Sequence, residues 1–152
     1  MLDTGLKLLL VASEVAPFAK TGGLADVAGS LPKALLTQGN DVRVVLPRYR
    51  GVEARATLGD FPVQVGGRKA TCVVRTSYIE AKSQAGVGTV PVYFLDNYHY
   101  FDRERYYMFP DEAERFGFFD LAAIRLCEFL GFVPDVIHCN DWQTGLDRKS
   151  TR

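Results

Sequence analysis

The sequence predicts an α/β fold in which helices flank a mostly parallel β-sheet. Two apolar, strand-like runs enclose one helical stretch within the first 47 residues, and a second helix leads into another strand-like run near residue 139. Between them lie several strand-like runs separated by short polar segments. Parallel strands need long crossover connections, usually helical, whereas hairpins need a few residues. We therefore expect parallel strands from both ends of the chain, with an inserted β-hairpin region between them.

The first unit is a strand, a helix and a strand. The apolar run Leu6–Ala12 reads as a buried strand, and Asp41–Leu46 reads as a second strand. Between them, helical periodicity begins near Leu24 and Gly39 supplies a stop signal. Pro32 removes an intrahelical hydrogen bond, so we expect a bend there. The predicted apolar face of this helix consists of Leu24, Val27, Ala28, Leu31 and Leu35.

The middle of the chain reads as the hairpin region. Strands are predicted over Phe61–Val65 and Ala70–Tyr78, with Gly66-Gly67 as the turn between them. Residues 80–88 are small and polar and predict a loop. A further strand is predicted over Val90–Asp96.

The last helix follows an aromatic loop that runs from Tyr98 to Phe109. Asp111 and Glu114 have the spacing of a capping box, with aspartate at the N-cap. Gly131 marks the end of the helix, and a strand is predicted over Asp135–Cys139. The predicted core face of this helix consists of Phe116, Phe119, Ala123, Leu126 and Leu130.

Length and composition narrow the function classes. The chain has 152 residues, which suits one domain with a substantial core. Eighteen cationic and eighteen acidic side chains cancel, so nothing favours nucleic acid or anionic lipid as a partner. No apolar run approaches membrane-spanning length. We therefore expect neither a nucleic-acid nor a membrane partner, and the three scattered cysteines favour a cytosolic protein.

A glycine loop follows the first strand and predicts an anion site. Gly22 and Gly23 let a backbone approach a ligand that any Cβ would block. The helix that follows presents unpaired N–H groups there, and Lys20 adds a full charge. Phosphate or diphosphate is the natural ligand. The alternative is a tight loop beside a solvated lysine. The loop is neither a G-x-G-x-x-G fingerprint nor a Walker A sequence.

A second segment, Asn140–Thr144, also follows a predicted strand directly. In doubly wound sheets, ligands bind outside the carboxyl ends of the strands. Both segments are therefore expected to face one crevice.

Both segments resemble those of bacterial glycogen synthases and plant starch synthases. The resemblance lies first in Ser13–Val27, which contains the glycine loop, and in Asp141-Trp142. It continues through Leu31–Leu35, Val44–Tyr49, Phe101–Glu104 and Glu114–Phe116. It implies a retaining enzyme that transfers glucose from ADP-glucose to the non-reducing end of an α-1,4-glucan.

The resemblance also implies the domain organisation. Residues 1–146 are expected to form the N-terminal half of a GT-B fold, which has two Rossmann-like domains with the active site between them. Residues 147–152 do not continue the family pattern. The C-terminal domain of the family is absent, so this chain alone is expected to be inactive. The resemblance implies a location in the bacterial cytoplasm, and a plastid location stays open because plant enzymes share the pattern.

The site residues follow from the resemblance, position by position. Lys20 is implied to contact the donor phosphates, with Gly22 and Gly23 as backbone companions. Asp26 is implied either to orient the loop or a sugar hydroxyl, or to be a plain first-turn helix aspartate. Asn140 stands where many bacterial relatives have histidine, and is expected to hydrogen-bond the glucosyl unit in a catalytic role.

Several other positions allow two interpretations. Asp111 matches an aspartate by the donor site and is the second expected catalytic residue, although it is also a predicted N-cap. Tyr107 matches a tyrosine near the donor, with Tyr106 as its rival. Asp141 is expected either to bind substrate or to cap a helix. Trp142 is expected in the core rather than as a sugar platform. A further expectation is that His138 is a buried packing residue.

No metal or other cofactor is expected. The chain contains no Asp-x-Asp, with which metal-dependent transferases of the other major glycosyltransferase fold hold a divalent cation, and its three cysteines lack metal-ligand spacing. The alternative function is a non-catalytic glucan- or nucleotide-binding module.

Overall fold

The computed structural model describes residues 5–145, which form a six-stranded sheet with the strand order β3-β4-β5-β2-β1-β6. Leu146 and the predicted tail 147–152 lie outside the described residues. None of the helices between residues 5 and 145 is long and apolar enough to cross a membrane. The elements are β1 (Lys7–Val11), α1 (Gly23–Thr37), β2 (Asp41–Pro47), β3 (Ala56–Val65), β4 (Arg68–Ser83), β5 (Gly86–Asp96), α2 (Tyr98–Phe101), α3 (Glu112–Leu130), β6 (Val136–Cys139) and a 3-10 turn (Trp142–Thr144).

The parallel half of the sheet confirms the predicted strand–helix–strand unit. Strand β1 pairs in parallel with β2 on one side and with β6 on the other, and β2 pairs in parallel with β5. From Leu8 to Val11 every side chain of β1 is buried. Parallel strands covered on both faces read as continuous apolar runs, which is why this half was visible in the sequence.

The antiparallel half confirms the hairpin and corrects its extent. Strands β3 and β4 pair as predicted across Gly66-Gly67. The loop predicted over residues 80–88 is wrong, because β4 and β5 continue as a ladder until Ser83 pairs with Gly86. Small polar residues have low strand propensity, but backbone hydrogen bonds along an exposed ladder do not depend on it.

Helix α1 packs through small residues rather than through the predicted face. Its buried residues are Ala25, Ala28, Gly29 and Pro32, and the helix continues across Pro32. The predicted face is therefore wrong at Val27, which is 55% exposed. The small side chains let the loop after β1 approach closely, and the Ala16 backbone N–H donates to the Ala25 carbonyl at 2.9 Å.

Gly29→Ala is expected to destabilise the protein by about 1–2 kcal/mol, although alanine favours helices. A Cβ at position 29 would lie 2.6 Å from the Ala16 carbonyl oxygen, so helix and loop must separate. Overpacking costs about 1–3 kcal/mol, and removing a helical glycine recovers about 0.5–1 kcal/mol. Urea unfolding measures the change in the free energy of unfolding. Gly23→Ala is the matched control, because nothing lies within 4 Å of a Cβ there. Equal effects of the two substitutions would contradict the proposed steric cause.

Helix α3 ends as predicted and also begins as predicted, with Asp111 at the N-cap, but the side chain of Asp111 makes no capping hydrogen bond. Gly131 adopts the left-handed conformation with φ 63°, and four of the five predicted core residues, Phe116, Phe119, Ala123 and Leu126, are buried. The predicted capping box is wrong. The Asp111 carboxylate accepts two bonds from Arg103, at 2.6 and 2.7 Å, and Glu114 accepts from the Tyr100 hydroxyl at 2.8 Å. A bidentate, charge-assisted pair with arginine is stronger than a bond to a neutral backbone N–H.

Candidate functional site

The candidate site lies where β1 and β6 end side by side. Val11 pairs with Cys139, and the next backbone N–H, that of Asn140, donates to the Val11 carbonyl at 3.1 Å. The segment that follows β1 and carries the glycine loop therefore leaves the same sheet edge as Asn140–Thr144. Both segments were expected to face one crevice, and their start at the same edge of the sheet is consistent with that expectation.

Lys20 and Asp26 form an ion pair across the glycine loop. The Lys20 ammonium lies 2.8 Å and 2.9 Å from the two carboxylate oxygens of Asp26, which belongs to the first turn of α1. The two side chains are 53% and 57% exposed. Exposed pairs contribute about 0–1 kcal/mol, so an anionic ligand can compete for the ammonium. The pair holds the charge of Lys20 beside the start of α1.

The two glycines leave space beside the start of α1. Gly22 is the N-cap, has extended backbone with φ −159°, and has no side chain with which to cap the helix. A Cβ at Gly22 or Gly23 would meet no protein atom within 4 Å. The described part of the fold therefore does not itself require glycine at either position. The first-turn N–H groups of α1 are left without a side-chain cap, which is the usual setting of an anion site.

Glu14 is a buried carboxylate beneath this loop that sequence reasoning missed. It is 4% exposed, accepts a hydrogen bond from the Thr21 backbone N–H, and accepts another from the Tyr107 hydroxyl at 2.8 Å. A carboxylate in an apolar stretch just after a buried strand was the available signal, because buried acids require partners. Glu14 joins the glycine loop to the aromatic segment 98–109.

A buried hydroxyl network supports Tyr107. The Tyr107 hydroxyl lies 2.8 Å from Ser13 Oγ, and the Tyr49 hydroxyl donates to the Ser13 carbonyl at 2.7 Å. Burial raises the pKa of both tyrosines, and Glu14 raises that of Tyr107 further. Both tyrosines therefore stay protonated at neutral pH. Since the single Tyr107 proton goes to Glu14, Ser13 Oγ is the donor to Tyr107.

Tyr107 and Tyr106, the two alternatives for the tyrosine near the donor, make different contacts. The Tyr106 ring stacks on Tyr49, with centroids 4.1 Å apart and an interplanar angle of 21°. Tyr107 is instead the residue bonded to Glu14. Its ring lies 5.9 Å from that of Phe116, which in turn lies 5.5 Å from the ring of Trp142. Aromatic contacts thus run from beneath the glycine loop to the segment after β6.

Asn140 and Asp141 are both engaged by the backbone. The Asn140 amide nitrogen donates to the Val11 and His138 carbonyls at 3.0 and 3.2 Å. Asp141 has φ 66°, is the N-cap of the 3-10 turn, and accepts from the Trp142 N–H at 2.7 Å. The capping role given as one alternative for Asp141 is therefore observed.

Two burial predictions at this edge are wrong. Trp142 is 58% exposed, and its contact with Phe116 is edge-to-face, so most of the indole faces outward. His138 is also exposed. Strand β6 lies at the edge of the sheet beside β1, and within residues 5–145 no strand pairs with its other side.

Asp111 is paired with Arg103 rather than with a residue of the glycine loop. Hydrogen bonds from Arg103 lower the pKa of Asp111, and the same hydrogen bonds raise the pKa of Arg103. Asp111 is consequently an ionised carboxylate with a fixed partner. Among the described residues, no hydrogen bond joins Asp111 to Lys20 or Asn140.

Arg115 is a second residue that sequence reasoning missed. Its side chain is fully buried and donates to the Tyr100 carbonyl at 2.7 Å, the Tyr106 carbonyl at 2.9 Å and Glu112 at 2.5 Å. The aromatic segment was predicted as a loop, and it begins with the short helix α2. Arg115 fixes this segment from Tyr100 to Tyr106, so it sets the position of Tyr107.

Known proteins match the chain over most of its length. The family model described as "starch synthase catalytic domain" matches residues 7–148. The glycogen synthases of Desulforudis audaxviator and Moorella thermoacetica are 54% and 52% identical over 151 and 140 residues, which is 95% and 92% of this chain but 30% and 28% of theirs.

A solved structure agrees with these sequence matches. The catalytic domain of starch synthase IV from Arabidopsis thaliana, bound to ADP and acarbose, superposes with a TM-score of 0.81 at 33% identity, over 93% of this chain and 29% of that one. This chain spans about 30% of the length of the curated relatives. The match confirms the expected architecture, a Rossmann-like α/β sheet of a GT-B starch synthase catalytic domain. This chain belongs to the glycogen and starch synthase family of glycosyltransferases.

Proposed function

We propose that the chain contributes one side of the cleft of a retaining glucosyltransferase, which transfers glucose from ADP-glucose to the non-reducing end of an α-1,4-glucan such as glycogen or starch. Family membership supports this, as does the ADP and acarbose bound to the Arabidopsis relative. The single observation that carries the proposal is the Lys20–Asp26 pair beside two glycines that the fold does not itself require.

The glycine loop would bind the diphosphate of the donor. As the glycosidic bond of the donor breaks, negative charge grows on the leaving ADP. Lys20 can offer its ammonium, a compact cation with three donors, while Gly22 and Gly23 leave room for phosphate oxygens near the first N–H groups of α1. Fixed donors that face developing charge are usually the largest single contribution to catalysis.

The remaining residues would act around the sugar. The Asn140 side-chain nitrogen is occupied by backbone carbonyls, which leaves its oxygen to accept from a glucosyl hydroxyl. Asp111, kept ionised by Arg103, would contribute a fixed negative charge near the donor. Tyr107 would line the donor side, and Asp141 would hold the turn after β6 while facing substrate.

We further infer that transfer needs no metal or other cofactor, because the chain has no Asp-x-Asp and Lys20 would supply the positive charge for the phosphates. The second domain of the family would supply the rest of the cleft. A polypeptide of residues 1–152 alone would then be inactive. The proposed location is the bacterial cytoplasm, with a plastid as the alternative.

Transfer of labelled glucose from ADP-glucose to glycogen tests this proposal. The test protein, called here the glycogen synthase chimera, has residues 1–146 in place of the corresponding segment of the Desulforudis audaxviator enzyme, which is 54% identical. We expect activity from the chimera and none from residues 1–152 alone. A folded but inactive chimera, with the short chain still binding glucan or nucleotide, would favour the binding-module alternative. UDP-glucose as a second donor tests nucleotide preference.

Gly22→Ala and Gly23→Ala are expected to separate activity from stability. Because a Cβ at either position meets open space, each variant should unfold within about 0.5 kcal/mol of the parent chain. In the chimera each should lower kcat/KM at least roughly tenfold, since misplacing a reacting group by about 1 Å costs up to 100-fold. Urea unfolding and glucose transfer measure the two effects. Full activity in both variants would contradict the assignment of the phosphates to this loop.

A further inference from the structure

We infer that Glu14 is a positioning residue that couples the glycine loop to Tyr107. The inference rests on the proposed function and adds to it a residue that contacts neither phosphate nor sugar. Glu14 lies just beyond the carboxyl end of β1, in a buried stretch that is apolar apart from Glu14 and Ser13. One carboxylate oxygen receives the Thr21 N–H and the other receives the Tyr107 hydroxyl.

The contact to Thr21 fixes the residue between Lys20 and Gly22. A charge-assisted hydrogen bond from a backbone N–H to a buried carboxylate is shorter and stronger than a neutral one. It therefore restrains the chain at the point where the ammonium and the open glycine positions must be held in register. Lys20 itself is 53% exposed, and its pair with Asp26 is too weak to fix the backbone.

The contact between Glu14 and the Tyr107 hydroxyl fixes the second segment, the aromatic segment 98–109. Tyr107 is bonded to Ser13 as well, and the carbonyl of Ser13 is bonded to the buried Tyr49. The neighbouring Tyr106 packs against the same network, because its ring stacks on Tyr49 with centroids 4.1 Å apart. Thr21 and Tyr107 are thus held to one another through the Glu14 carboxylate.

The coupling has a chemical consequence for the Glu14→Gln substitution. Glutamine preserves size and leaves one acceptor oxygen, but it places an N–H₂ group where the second acceptor stood. Either the Thr21 N–H or the Tyr107 hydroxyl then loses its acceptor, and both bonds lose their charge assistance. The loop and Tyr107 are expected to move independently as a result.

Two measurements test the inference. In NMR spectra of the 152-residue chain, the Thr21 amide proton should lie far downfield and exchange slowly. In Glu14→Gln it should move upfield and exchange roughly tenfold faster or more, the change expected when a hydrogen bond to a charged group is lost. In the chimera, kcat should fall roughly tenfold or more while KM for glycogen stays within about twofold, since positioning rather than binding is impaired. Glu53→Gln, an exposed carboxylate, is the matched control.

Tyr107→Phe separates coupling from simple packing. If Glu14 acts by joining the two segments, Tyr107→Phe should shift the Thr21 amide in the same direction. The double variant should then differ little from the larger single effect, because residues in one network are not additive. Additive effects would overturn the inference. The inference would also be overturned if the chemical shift and exchange rate of the Thr21 amide did not change in Glu14→Gln. It would be overturned as well if that amide exchanged faster while kcat stayed within twofold of the parent chimera. If the parent chimera is inactive, the proposed function fails, and the Thr21 amide still decides whether Glu14 positions the loop.

Discussion

Lys20→Ala in the glycogen synthase chimera is expected to lower kcat for glucosyl transfer by about 100- to 1000-fold, the usual cost of removing one preorganised donor from developing charge. Among residues 5–145 the ammonium pairs with Asp26 at 2.8 Å, and the nearby Gly22 and Gly23 have open space where a Cβ would lie. Its removal takes away charge that the departing ADP would meet. KM for ADP-glucose should rise less than kcat falls, because charge on the leaving group is greatest in the transition state.

Lys20→Ala has two informative companions. Lys69→Ala removes an exposed lysine from β4 and should leave kcat within twofold. Lys20→Arg keeps the charge but spreads it over a planar fork, so recovery of a minor part of the activity is expected. Initial rates over a range of ADP-glucose concentrations separate the two kinetic constants. The assignment of Lys20 to the phosphates would be wrong if Lys20→Ala stayed within about twofold of the parent, which is well under 1 kcal/mol of barrier.

The parallel core could be predicted because its signals are local. Strand β1 is a continuous buried run from Leu8 to Val11, and Gly131 ends α3 through a backbone conformation that glycine adopts easily. The extension of β4 and β5 to Ser83 and Gly86 had no such signal. Its pairing depends on the turn between the two strands and on backbone hydrogen bonds, neither of which requires apolar alternation.

Short motifs in the sequence identify residues of the candidate site, whereas contacts between residues far apart in the chain escape them. Lys20 and Asp26 are six residues apart and visible in one motif. Glu14 and Tyr107 are 93 residues apart, and no local pattern shows that their side chains meet. Asp111 illustrates the same limit, because its spacing to Glu114 fits a capping box while Arg103 supplies the stronger partner.

The exposure of side chains at the sheet edge could not be predicted from the local sequence either. An aromatic residue after an apolar strand, such as Trp142, is usually a core residue, and the sequence offers no contrary signal. The exposure of Trp142 follows from the position of β6 as the last strand in the order, which depends on the whole topology.

Arg115→Met is expected to lower the free energy of unfolding by about 3 kcal/mol, more than any other single change at the aromatic segment. This value is in the range found when one partner of a buried ion pair is removed. The substitution keeps the length of the side chain. It leaves the carbonyls of Tyr100 and Tyr106 without their donor, and Glu112 without its cation. One guanidinium nitrogen, Nη2, has no hydrogen-bond partner among residues 5–145, which reduces the loss but does not offset three bonds.

Arg125→Met on the same helix is the matched control. Arg125 is 55% exposed and pairs with Glu128 at 2.9 Å, so its loss should cost less than about 0.5 kcal/mol. For a domain of this size, about 3 kcal/mol corresponds to a melting temperature roughly 6–12 °C lower. Thermal unfolding followed by circular dichroism compares the two variants. Equal melting temperatures would show that the buried guanidinium is dispensable. A selective loss at Arg115 would mean that the aromatic segment depends on a buried cation, because the same guanidinium fixes the backbone next to Tyr107.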